Sequence, residues 1–402
     1  ILGASGSGKS KFISSFIAKI QKNSELSKKY KVVIIDPHAS LEQDVGGLGN
    51  VIDFKTIQQS IDLFTNNVND VISSTELLLD LFKSLICDQY NSKLERVLRH
   101  AIYLLLIAKQ FNFHDLRLLI LDLEYRTNLI RKFEEILPIS VVDFFLADFN
   151  DLKTNSYSQA ISPIISFIDE MEMIPVFNEP KINVTLEEVI NKNFLTIFSL
   201  DMVKLGNKVT KTISGLVMQQ LFTLIENYSF DSHILFIVDE VAVVENPILS
   251  RFLAEARKYN LSLILAGQYF SQISETLKSA IFANIVNYYI FRVSKIDADK
   301  LIDNFSIKIP LDDSRERKVK LLTDLNNREC IVRIQANDVI LPAIKCTTNN
   351  FISIPYIRKK GIGQENKKLE IKNNTFSFRI NSDINMHDVL ALNSTRGESD
   401  GR

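Results

Sequence analysis

The sequence predicts an α/β fold: a mostly parallel sheet with crossover helices, interrupted by a large all-α insertion. Three observations predict it. Short, continuous apolar runs ending on polar residues alternate with helical patterns, as buried parallel strands and their crossovers do. About 157 residues separate the first such run, ending at Asp36, from the next, starting at Phe194, whereas a crossover needs roughly a dozen. The chain also opens on Gly3-Ala4-Ser5-Gly6-Ser7-Gly8-Lys9-Ser10, an ungapped G-x-x-x-x-G-K-[ST].

That loop is the first element. Its glycines let the backbone wrap an anion with N–H groups pointing inward, which makes Gly3, Ser5, Gly6, Ser7, Gly8, Lys9 and Ser10 candidate ligands of a nucleotide. Lys9 supplies a charge for the β/γ-phosphates, and the Ser10 hydroxyl is placed for Mg²⁺. The helix expected over 11–20 directs its positive end at the same phosphates. The bland alternative is a chance match in a glycine-containing turn. The chain reaches the loop by residue three, leaving no room for the buried strand that normally feeds one, so a preceding segment is expected and any membrane anchor would lie there.

Residues 30–36 read as a buried strand, followed by 194–200, 234–239 and 261–266, with 285–292 and 330–334 extending the sheet. Helical patterns at 212–227 and 247–259 alternate with them. Residues 72–184 carry helical spacing, with Leu94, Val97, Leu98, Ala101, Ile102, Leu105 and Leu106 on one stripe. The expected organisation is therefore a discontinuous ATPase domain over 1–71 and 185–355, an all-α insertion domain over 72–184, and a flexible polar tail over 356–402. Extra helices packed on one continuous α/β domain are the alternative.

The 402 residues, 46% of them hydrophobic, suffice for a full core without crosslinks. Three widely spaced cysteines, Cys87, Cys330 and Cys346, argue against a zinc site and for a reducing compartment. Runs such as 102–108 are far below the roughly 20 apolar residues that cross a bilayer. A net charge of −1 leaves any nucleic-acid contact to a local feature.

The second half of the site is Ile234-Leu235-Phe236-Ile237-Val238-Asp239-Glu240, an apolar run ending in two acids. Asp239 would share the Mg²⁺ shell with Ser10, and Glu240 would polarise the attacking water. The extra Glu favours ATP hydrolysis, and the Asn-Lys-x-Asp base reader of a GTPase is lacking. Gln268, at the tip of the next strand, fits a contact to the γ-phosphate or the water; a surface turn is its alternative. Arg257 reads equally as a solvated helix residue balancing Glu255.

Taken in order, Gly3 to Ser10, Ile34-Ile35-Asp36-Pro37-His38, Asp239-Glu240, Glu255-Ala256-Arg257-Lys258, Ala266-Gly267-Gln268 and Phe291-Arg292-Val293 resemble the VirD4/HerA branch of the additional-strand RecA-like P-loop ATPases. That family holds conjugative coupling proteins and HerA-type DNA translocases. The resemblance implies a ring, expected as a homo-hexamer, with ATP between subunits and Arg257 reaching a neighbour's site. It also implies DNA as cargo, for which Lys204, Lys208 and Lys211 around Gly206 offer phosphate contacts. Ala39-Ser40 departs from the family's usual Gly-Asp, which puts any role of that acid in doubt.

Three functions follow. The leading one is a DNA-translocating ring motor of the conjugative type IV secretion kind, cytoplasmic or at the cytoplasmic face of the inner membrane, meeting secretion or relaxosome proteins. The second is a HerA-like ATPase acting with a nuclease in end processing or defence. The third is a secretion-assembly ATPase that never holds DNA.

Overall fold

A computed structural model describes residues 1–54, 61–64, 68–178, 184–255, 258–304, 314–337 and 339–355, together with the backbone of 379–380. Its centre is a five-stranded, wholly parallel sheet in the order β2-β3-β1-β4-β5. The strands are β1 (Tyr30–Asp36), β2 (Asn50–Asp53), β3 (Leu195–Ser199), β4 (His233–Val238) and β5 (Leu261–Leu265). Strand β1 is central, so Val32, Val33, Ile34 and Ile35 are all buried and the run shows no polar alternation. Alternate residues serve opposite faces. Val33, Ile35, Phe198, Phe236 and Val238 join one core, while Val32, Ile34, Ile197 and Ile237 join the other.

The second core is closed by α1 (Lys9–Lys22), which buries Phe12, Ile13 and Ile17, and by Leu41 and Val45 of α3 (Ser40–Val45); α2 (Ser24–Lys29) joins α1 to β1. The first core is covered by the helices between β2 and β3. These are α4 (Val71–Ile86), α5 (Ser92–Ile107), α6 (Phe113–Leu121), α7 (Leu123–Phe133), α8 (Ile139–Asp143), α9 (Phe149–Asn155), α10 (Tyr157–Ala160), α11 (Ser162–Glu172), α12 (Pro175–Asn178) and α13 (Leu186–Lys192). All the residues of the predicted stripe on α5 are buried.

After β3 come α14 (Met202–Leu205) and α15 (Asn207–Glu226). Lys204, Lys208 and Lys211 therefore sit on two helices broken only at Gly206. Helix α4 lies directly on α15: a Cβ on Gly215 would stand 2.4 Å from Leu81 Cδ1. The helices of 72–184 thus share one apolar core with a face of the sheet, and we propose those two positions as limits of an inserted unit.

Beyond β4 lie α16 (Val241–Val244) and α17 (Ile248–Glu255), and beyond β5 lies α18 (Glu275–Asn284). The segments expected to extend the sheet instead form a second one with β6 (Tyr288–Ile290) and β7 (Glu329–Arg333) antiparallel, followed by β10 (Ile344–Thr347) and β11 (Arg379–Ile380). Helices α19 (Lys295–Asn304) and α20 (Arg315–Thr323) connect β6 to β7, and β8 (Gln335–Ala336) and β9 (Val339–Ile340) make a small hairpin. Leu2 joins the sheets, bridging in parallel to Gly267 on one side and to Ile290 on the other. An apolar groove of about 940 Å³ runs beside it, lined in part by Phe16, Leu263, Ile264 and Tyr289. Among the described residues no helix is long and apolar enough to cross a membrane. The tail expected over 356–402 lies outside them except at Arg379–Ile380.

Candidate active site

The phosphate loop is held from both sides by backbone. Gly3 N–H donates to the Gly267 carbonyl at 3.2 Å, Ala4 N–H to the Arg292 carbonyl at 2.7 Å, and Arg328 N–H to the Ser7 carbonyl at 2.9 Å. Gly6 and Gly8 adopt φ of 73° and 114°, the left-handed region in which side chains strain. Gly3 is required for another reason: a Cβ there would lie 2.5 Å from Phe291 Cβ. Gly8 precedes α1 and has no side chain to cap it, so the first-turn N–H groups stay available to an anion. Ser7, 1% exposed, has a buried hydroxyl without a hydrogen-bond partner among the described residues. Ser5 is exposed and Ser10 half-buried at the start of α1.

Lys9 is buried and folds back on its own loop, its Nζ donating to the carbonyls of Gly3 at 2.5 Å and Ala4 at 3.2 Å. Burial holds it below the usual lysine range, against the opposing pull of Glu240 and Asp239. Both acids follow the last residue of β4. Asp239 N–H donates to the Ile35 carbonyl at 3.0 Å, which sets its carboxylate at the carboxyl edge of the sheet. Burial first, then the neighbouring Glu240, raises its pKa. Glu240 has φ 47°, an uncommon conformation outside glycine, and this turn separates the two acid side chains where the strand ends. The Glu240 carboxylate is held by Gln268, whose Nε2 donates to Oε2 at 2.9 Å and whose backbone N–H donates to Oε1 at 3.3 Å.

Two buried carboxylates side by side, answered electrostatically by Lys9, suit a hard cation. Among the described residues no group of three or more His, Cys, Asp or Glu forms a metal cage. One carboxylate and one hydroxyl completed by substrate phosphates is the arrangement Mg²⁺ favours.

Two family models match the stretches that carry this geometry: the helicase HerA central domain over residues 1–81, and the TraM recognition site of TraD and TraG over 233–317. Solved structures share the fold. The plasmid coupling protein TrwB in complex with the non-hydrolysable GTP analogue GDPNP superposes with TM-score 0.59 at 15% identity, covering 86% of this chain and 83% of that one. TrwB with the ATP analogue ADPNP gives 0.58 at 16%, with the same coverage. VirB4 of Thermoanaerobacter pseudethanolicus gives 0.53 at 17%, covering 85% and 87%. The half of the site that carries the phosphate loop thus resembles the HerA central domain and the half that carries the two acids resembles the TraD and TraG model, on a fold shared with TrwB and VirB4. No curated protein matches the chain.

Set against the superfamily pattern expected from sequence, the structure brings Lys9, Ser10, Asp239, Glu240 and Gln268 to one edge of the sheet. Arg257 lies outside the described residues; before it, Glu255 ends α17 paired with Arg251 at 3.6 Å. Asp36 is fully buried and caps α3, accepting N–H bonds from Ser40 at 3.1 Å and Glu42 at 2.9 Å. Burial chiefly, then Asp239, pushes its carboxyl up to about 7. Ser40, at the position where the family's acid is missing, donates its hydroxyl to Asp239 Oδ2 at 3.3 Å. Sequence reasoning noted Ser40 only as a departure from the family's Gly-Asp and gave it no role, because a serine in a turn carries no signal of its partner. Lys204 pairs with Asp201 at 3.4 Å, and Lys208 pairs with Glu170.

Proposed function

We propose that the chain is an ATP-hydrolysing motor that assembles as a homo-hexameric ring and moves DNA, most like the coupling ATPases of conjugative type IV secretion. The observation that supports it is the meeting of Lys9, Asp239 and Glu240 at one sheet edge, in the two stretches that match the HerA and the TraD and TraG models. In this reading the phosphates of ATP draw Lys9 from the carbonyls of Gly3 and Ala4, and the loop amides with the end of α1 hold them. Ser10 and Asp239 would hold Mg²⁺, which when bound would supply charge neutralisation of the phosphates. Glu240 takes a proton from water, and Gln268 sets the direction of its carboxylate. Arg257 of a neighbouring subunit completes the charge balance. DNA as cargo, relaxosome partners and a place at the cytoplasmic face of the inner membrane are carried by the resemblance to coupling proteins.

The HerA match over the loop favours a second reading, an ATPase acting with a nuclease on DNA ends. One experiment addresses both and separates them from a DNA-independent assembly ATPase: steady-state ATP hydrolysis with and without single- and double-stranded DNA, with Glu240→Gln as the blank. Stimulation of severalfold by DNA is the expected result. Robust hydrolysis indifferent to DNA would overturn the DNA motor.

A further inference from the structure

On the side away from Asp239, the phosphate loop is flanked by two arginines. Leu2 runs between β5 and β6, so the end of β6 and the start of its antiparallel partner β7 stand beside the loop. Arg292 follows β6 and accepts Ala4 N–H; Arg328 precedes β7 and donates its own N–H to Ser7. A Cβ on Gly8 would lie 3.4 Å from Arg328 Cα and 3.6 Å from its Cγ, so the arginine stem runs along the last glycine of the loop.

Their partners set these arginines apart. Arg96, Arg99, Arg117 and Arg315 each hold a carboxylate. Arg292 donates to the Asn327 side-chain oxygen at 3.4 Å, and Arg328 to that of Asn350. Among the described residues neither forms an ion pair with an acid. An amide orients a guanidinium without neutralising it, so two full positive charges stand beside a loop built for anions.

We propose that Arg292 and Arg328 are nucleotide-binding residues of the same subunit, contacting the phosphate groups of the nucleoside di- or triphosphate held in the loop. This rests on the nucleotide reading above. A guanidinium donates in a fork that matches phosphate oxygens, and such charge-assisted bonds are strong. The pair places cationic charge across the loop from Asp239, and it ties the second sheet to the nucleotide.

The test is equilibrium binding of the fluorescent nucleotide mant-ADP to the full chain, read by anisotropy across a salt series, for Arg292→Gln, Arg328→Gln and the double variant. Each single change is expected to weaken binding at least fivefold, the double change more, with a flatter salt dependence and partial recovery in Arg→Lys. Asn350→Asp, which leaves Arg328 in place but neutralises it, is expected to weaken binding too. Affinity within twofold of wild type in the double variant, with an unchanged salt slope, overturns the inference, and so does a lowered Tm with unchanged affinity, which would give these residues a packing role only. Lys9→Ala separates the two levels. If wild type binds, Lys9→Ala does not and the double variant does, the arginines alone are misassigned; if wild type does not bind, the nucleotide reading fails and the inference with it.

Discussion

Gln268 holds Glu240 by two hydrogen bonds, one from its side-chain amide at 2.9 Å and one from its backbone at 3.3 Å. Removing the amide leaves the backbone bond, so Glu240 keeps its place but loses the contact that sets its direction. Gln268→Ala is expected to lower turnover at least about tenfold, in line with one hydrogen bond to a charged carboxylate, and to leave nucleotide affinity within about twofold. Glu240→Gln is expected to bind as wild type and lose roughly 10²–10⁴-fold in kcat, the usual range for a general base. Steady-state hydrolysis beside mant-ADP binding reads both; a Gln268→Ala enzyme with wild-type kcat would remove Gln268 from the mechanism.

Lys9 poses a conflict between stability and function. Burial depresses its pKa, so carrying its charge costs the nucleotide-free fold, and its own loop carbonyls partly offset this. Lys9→Met fills the same volume without the charge. The expected outcome is loss of mant-ADP binding by at least about tenfold, with a Tm equal to or above that of wild type, because removing the buried charge relieves a burial cost that the bonds to the two loop carbonyls only partly offset. A Tm several degrees lower would instead show that the bonds to Gly3 and Ala4 hold the loop together.

Asp36 gives a pH dependence opposite in sign to that of an ordinary ion-paired carboxylate. Its folded pKa of about 7 lies above the reference value of 3.8, so the folded state binds more protons than the unfolded state between those limits. Stability should fall as pH rises from about 4 to about 7, by on the order of 3 kcal/mol from this group, and stay level above. Asn at this position keeps an acceptor for one of the N–H groups of Ser40 and Glu42, which bond to different oxygens of Asp36, and does not titrate. Urea unfolding of the nucleotide-free protein at pH 5 and pH 7.5 should show Asp36→Asn gaining on wild type at the higher pH. Asp239, also shifted upward, leaves a residual slope of the same sign. Equal pH slopes for the two proteins would mean that Asp36 is not protonated in the fold.

These residues mark how far the sequence carries. The loop and β1, β3, β4 and β5 were legible because a phosphate cradle and a doubly buried strand write themselves locally, as glycines at fixed spacing and as unbroken apolar runs. Strand β2 was not, since the four residues Asn50–Asp53 at a sheet edge need only two buried side chains. The turning of β6 and β7 into an antiparallel sheet depends on partners found in three dimensions. The same holds at the site. Gln268 was placed by its position at a strand tip, but its contact with Glu240 was not, because that depends on a side-chain direction. Arg292 and Arg328 approach Ala4 and Ser7 only through the fold; Phe291-Arg292-Val293 entered as part of a resemblance with no role for its arginine, and no local pattern marks Arg328.

The proposal for Arg257 can be decided without a structure of the ring. If it acts on the neighbouring subunit's nucleotide, two inactive proteins must restore each other. Glu240→Gln subunits lack the base but keep the arginine; Arg257→Ala subunits lack the arginine but keep the base. In a mixed ring, the interface that takes Glu240 from an Arg257→Ala subunit and Arg257 from a Glu240→Gln neighbour is intact, while every interface in either homogeneous ring is damaged. Hydrolysis should therefore rise on mixing, peak near equal proportions and fall toward either pure protein, with mant-ADP binding unchanged throughout. An arginine acting within its own subunit gives a flat baseline at every ratio, because no subunit then holds both groups. A flat baseline in mixtures shown to exchange subunits by energy transfer between labels would end the trans assignment, and an active homogeneous Arg257→Ala ring would end any catalytic role for that residue.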